Sequence, residues 1–91
     1  MDRKMSKSDL YGWFDLRPIR GSSAYRMFEV FLIQNWDEDT QRTSMSRKDI
    51  IGKTGWKWAE VDNYIMFIDM NNLWEINEST ESNEMIFTPK A

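Results

Sequence analysis

Residues 46–76 read SRKDIIGKTGWKWAEVDNYIMFIDMNNLWEI, and the fold turns on how this stretch is read. Ser46 stands three residues before Asp49. That is the spacing of a capping box, in which each side chain satisfies a backbone N–H left free at a helix start. A short helix is therefore expected from Ser46 to Gly52, with Ile50 and Ile51 as its buried anchors. Lys53-Thr54-Gly55 reads as a tight turn, with glycine supplying the backbone freedom. From about Trp56 to Met70 the residues Trp58, Val61, Ile65 and Ile68 recur at three- and four-residue spacing, which predicts a longer helix. Asn71-Asn72 ends it. Leu73–Ile76 and Glu84–Thr88 then read as two strands of a hairpin around the polar loop at Asn77–Asn83.

Working outward, Ser22 or Ser23 caps an earlier helix reaching about Trp36. Its apolar positions are Met27, Val30, Phe31 and Ile33 or Gln34, widened by Tyr25 and Leu32. Pro18 and Gly21 mark a turn before it. Asp9–Leu16 (DLYGWFDL) reads as a strand or an ordered aromatic arm, and residues 1–8 as loosely attached. The chain thus divides into an arm, 1–22, and one domain, 23–91. Ninety-one residues leave no room for a second. The expected class is α+β, with three helices and a C-terminal β-hairpin. Phe31, Ile51, Val61, Ile65, Ile68 and Leu73 are the expected core. The long helix is apolar almost all round, through Tyr64, Met66, Phe67 and Met70. Such a helix needs burial on a second side. Either the arm's Leu10, Tyr11, Trp13 and Phe14 cover it, or a homodimer does.

Composition narrows the chemistry. There is no Cys and no His, so thiolate nucleophiles, the commonest general base and the commonest metal ligands are missing. Asp37-Glu38-Asp39 is the densest carboxylate group, but it lacks the spacing of a calcium loop. No glycine-rich phosphate loop and no G-x-S-x-G run occurs. Neither enzyme activity nor a cofactor is expected. The N-terminus lacks the pattern of a cleaved leader, and no apolar stretch approaches the ~20 residues of a membrane span. A cytoplasmic location is the expectation.

Net charge is −3, unevenly spread. Residues 1–26 carry six basic and three acidic side chains, and residues 59–91 carry Lys90 against seven acids. Between them, Arg47, Lys48, Lys53 and Lys57 face only Asp49 within residues 46–58. A basic island in an acidic chain thus coincides with the two-helix unit.

The order of helix, acidic loop, SRKDIIGKTGW, long helix, NNLWEI and hairpin covers about residues 23–88. It resembles the winged helix-turn-helix superfamily, and in layout the small DNA-binding domains of phage and plasmid replication or regulatory proteins. In that family a run of the form (S/T)-x-x-(E/D)-(I/L)-(A/I)-x-x-(T/L)-G precedes the helix that reads the groove. The resemblance implies a viral or plasmid-type protein, in the host cytoplasm if viral, that binds double-stranded DNA as a regulator or as a replication or transcription accessory factor. With the basic island, it makes Ser46, Arg47, Lys48, Lys53, Thr54, Lys57, Trp58 and Asn63 the candidate DNA contacts. Ser46 and Thr54 match capping positions near phosphates. Arg47 and Lys57 match positions that contact backbone or base edges.

The chain departs from the family in its acids. The hairpin carries Glu75, Glu78, Glu81 and Glu84 with no base, and the long helix carries Glu60, Asp62 and Asp69. The four bases of the island also suit a solvated face paired with Asp49 and Glu60, and the tryptophans suit a core. The competing expectation is a winged-helix protein-interaction module, an inhibitor or adaptor of a nucleic-acid machine. Its candidate partner contacts are Tyr64, Phe67, Glu78 and Glu81.

Overall fold

The first helix lies where the sequence suggested a strand or arm. The structure, a computed structural model, describes residues 4–16, 23–79 and 82–90. Pro18, Gly21, Ser22 and Glu81, for which the sequence carries expectations, lie outside the described residues. Ser6 and Asp9 form a reciprocal cap: Ser6 N donates to Asp9 Oδ2 at 2.9 Å, and Asp9 N donates to Ser6 Oγ at 3.1 Å. This starts helix α1, Lys7–Leu16. Leu10 and Phe14, one turn apart, bury themselves against α2, Ser23–Gln34. The described residues therefore hold four helices rather than three. The arm covers α2 instead of the long helix.

Three short side-chain contacts hold the chain ahead of α1 in place. Gln41 clasps the Met5 backbone from both sides. Its Oε1 accepts from Met5 N at 2.8 Å, and its Nε2 donates to Met5 O at 3.0 Å. Trp36 Nε1 donates to the same carbonyl at 3.0 Å. The acidic loop is built by Asp37, whose Oδ1 accepts from the backbone N–H groups of Asp39 and Thr40. That is a turn-forming use of Asp, not a ligand set.

After this loop comes β1, Thr43–Ser46, a strand not anticipated from its residues. Then follow α3, Arg47–Thr54, α4, Trp58–Met70, β2, Trp74–Glu78, and β3, Glu84–Pro89. The C-terminal hairpin forms as expected, with Glu75 opposite Thr88 and Ile76 opposite Phe87. The third strand extends it into an antiparallel sheet of order β1-β3-β2, with Thr43 opposite Phe87. Thr43 and Met45 point inward while Ser44 faces solvent. Thr43 Oγ1 donates to Leu32 O at 2.8 Å.

The turn between α3 and α4 sits two residues later than expected. Thr54 stays helical, its hydroxyl donating to Ile50 O at 2.7 Å. Gly55 then takes the left-handed conformation, φ 77°, and its N–H donates to Ile51 O. Any residue with a Cβ is strained there.

Leu10, Phe28, Leu32, Ile33, Ile50, Val61, Ile68, Trp74, Met85 and Phe87 are sealed from solvent. Of the expected core, Val61 and Ile68 are among them. Phe31, Ile51, Ile65 and Leu73 are only half-buried at its edge. On α2 the buried stripe runs through Phe28, Leu32 and Ile33; Leu32 and Ile33 belong to the expected apolar face, but the stripe Met27, Val30, Phe31 is at most half-buried, and Met27 is 62% exposed. Both stripes have helical spacing, so periodicity alone does not choose between them. Glu29, on the buried face, accepts from Trp74 Nε1 at 2.9 Å. The Trp74 ring meets Trp13 of α1 edge-on, with centroids 5.7 Å apart.

Candidate nucleic-acid interface

The start of α3, the start of α4 and the end of the hairpin converge on one cleft of about 470 Å³. Lys48 and Trp58 line it on one side, and Glu78, Ser79, Ser82 and Asn83 on the other. The hairpin-end residues Ser79, Ser82 and Asn83 were not singled out from sequence. The only local sign was the Asn-containing polar loop, where Asn83 adopts a positive φ of 57°.

Ser46 does what its spacing predicted. Its Oγ accepts from Asp49 N at 3.1 Å, and Asp49 Oδ2 accepts from Ser46 N at 3.2 Å. The side chain is thus engaged in starting α3. Thr54 is likewise occupied, donating to Ile50 O and accepting from Trp56 N at 3.2 Å. Both side chains fix helix ends.

Arg47 is committed within the protein. Its Nε donates to Asp62 Oδ1 at 2.8 Å, and Nη1 donates to Glu78 Oε1 at 3.1 Å. One guanidinium thereby ties α3 to α4 and to β2. The Asp62 hydrogen bond is the largest influence on its pKa; with that from Glu78 it outweighs burial and raises the value above the ordinary one. Neither Asp49 nor Glu60, the pairing acids expected from sequence, takes part in these ion pairs.

The lysines stand apart. Lys48, Lys53 and Lys57 are exposed, and among the described residues none of them forms an ion pair. Lys48 and Lys53 sit near opposite ends of α3, and Lys57 caps α4. The Lys57 N–H donates to Glu60 Oε1 at 3.1 Å. Its ammonium has no acceptor to offer in return, so only one half of a capping box exists there.

The two tryptophans separate. Trp56 packs among Phe28, Phe31 and Tyr64, with its ring 5.2 Å from that of Tyr64. Trp58 is 53% exposed at the mouth of the cleft. Asn63 is exposed on the outer side of α4. There it shares a stripe with Ala59, Met66 and Met70, the last two 57% and 74% exposed.

The proposed partner contacts are placed differently from one another. Tyr64 is only 9% exposed. Its hydroxyl donates to Glu60 Oε2 at 3.4 Å. Burial, and then the nearby Glu60 charge, hold its pKa above the ordinary tyrosine value. Phe67 is half-buried and stacked on Tyr25, with centroids 4.0 Å apart. Neither ring is free on the surface, because α2 supplies the rings that cover that side of α4. Glu78 is bound to Arg47.

Among the described residues no acidic group of three or more is placed to hold a metal ion. No helix of theirs is long and apolar enough to cross a membrane. No protein-family model, curated protein or solved structure matches this chain.

Proposed function

We propose that this chain is a winged helix-turn-helix protein that binds double-stranded DNA as a small regulator or replication or transcription accessory factor. Two facts support the fold part of this reading. The element order α2-β1-α3-α4-β2-β3 is the order such a domain needs, with α1 as an added N-terminal helix. The strand order β1-β3-β2 sets the hairpin beside the start of α4, where a wing belongs.

The observation that carries the DNA reading is the trio Lys48, Lys53 and Lys57. These are exposed cations without ion pairs among the described residues, all on one helix–turn–helix unit. Arg47 helps indirectly by pairing with Asp62 and Glu78, which offsets part of the negative charge that would repel phosphate. A salt titration on random-sequence duplex is the direct measurement. Three phosphate contacts give a log–log slope of about −2 to −4. The triple change Lys48→Ala, Lys53→Ala, Lys57→Ala should remove that affinity. Wild-type protein with no duplex affinity at low salt would sink the reading.

A second reading rests on the outer face of α4. Ala59, Asn63, Met66 and Met70 present no cation there. Exposed methionines suit an adaptable protein contact. On this reading the chain is a winged-helix interaction module.

A further inference from the structure

A second concavity, of about 550 Å³, lies on the far side of α2 from the sheet, between α1 and the α3–α4 turn. Its floor is Val30 and Phe31, its walls Phe14 of α1 and Trp56 of the turn, with Met27 at the rim. Val30 and Phe31 belong to the apolar face expected of α2, and the fold leaves both half-buried at the edge of the core. The volume falls in the range of small-molecule sites, which pair apolar walls with a few polar groups.

The polar groups here are Arg26 and Gln34. Eight residues apart on one helix, they lie about 12 Å from each other along its axis. The Arg26 guanidinium sits over the Phe14 ring, 4.4 Å from its centroid. Among the described residues no carboxylate pairs with it. Acids outnumber bases in this chain fifteen to twelve, so an arginine beside an apolar groove with no carboxylate partner among the described residues stands out. Ring stacking leaves the five N–H donors of a guanidinium unspent.

We propose that this groove binds a small amphipathic carboxylate. The acid group lies on Arg26, and the tail runs over Val30 and Phe31 to Trp56. A planar guanidinium takes a carboxylate through two parallel hydrogen bonds, and the tail gains from leaving water. Among the described lining residues Arg26 is the one cation, which matches a monoanion. The bound tail touches Trp56, next to Lys57 at the start of α4.

The test is an NMR titration of the whole chain with sodium octanoate, and with octylammonium as the tail-matched cation. Octanoate should give saturable shifts at the Trp56 indole N–H and at Phe14 and Phe31. Octylammonium should give none. Arg26→Gln should weaken octanoate by about tenfold or more, the usual consequence of losing a charge-assisted contact. Met27→Glu, at an exposed rim position, should also abolish binding by placing a negative charge in the groove. Equal binding of the two amphiphiles, an Arg26→Gln affinity within about twofold of wild type, or shifts clustered at Met66 and Met70 would each overturn the proposal.

Discussion

Arg47 illustrates how a residue's type and its environment part company. A base at the second position of a helix-turn-helix unit is the expected phosphate contact. Here its guanidinium is spent on Asp62 and Glu78, which also makes the α3–α4–β2 corner a single unit. Exposed pairs of this kind contribute about 1 kcal/mol or less and weaken with salt, so the corner depends mainly on packing. Core residues on α4 separate in the same way. Ile65 and Ile68 look equivalent in a helical pattern, but Ile68 is sealed and Ile65 is half-buried at the edge. Ile68→Ala should therefore cost about 2–5 kcal/mol in denaturant melts. Ile65→Ala should cost clearly less, since part of its surface is already wet. Equal losses at the two positions would contradict this packing.

At the scale of elements, α1 is the largest departure from expectation. The capping signal that starts it, Ser6-x-x-Asp9, was legible and has the same form as the one read at Ser46. The aromatic run after it, with Gly12 in the middle, obscured a helix whose buried face is only Leu10 and Phe14. Its packing on α2 and Trp74 makes it part of the core. Deleting residues 1–16 should lower stability by about 3–6 kcal/mol, counting two buried apolar side chains. That is a large share of the ~5–15 kcal/mol of a small domain. Urea melts showing a loss below about 1 kcal/mol would mean the helix is merely appended. Strand β1 was missed for a different reason. Thr-Ser-Met-Ser has little strand character, and its place is set by the exposed edge of β3 that it completes.

Across the whole molecule, charge and apolar surface are sorted onto different faces. The exposed lysines Lys48, Lys53 and Lys57 lie on the helix–turn–helix unit, while the outer stripe of α4 is neutral and carries two exposed methionines. If α4 lies against a duplex, that stripe faces phosphates or base edges. Met66→Lys with Met70→Lys should then tighten duplex binding and steepen the salt slope by up to about two. Gel shifts at several salt concentrations read both quantities. Unchanged affinity would place the outer face of α4 away from DNA and favour the protein-docking reading.

The sequence by itself determined the two helices around the glycine turn, the α3 cap and the C-terminal hairpin. Each is set by residues within a few positions of one another, through caps, turn chemistry and local periodicity. It also determined that the basic island coincides with the turn. Only the tertiary structure decided which stripe of α2 is buried, that Thr43–Ser46 joins the sheet, that Arg47 is ion-paired while Lys48, Lys53 and Lys57 form no ion pair among the described residues, and that Tyr64 and Phe67 are covered by rings of α2. Those outcomes depend on which distant surface arrives opposite each residue. A side chain's own chemistry is the same before that surface arrives and after it.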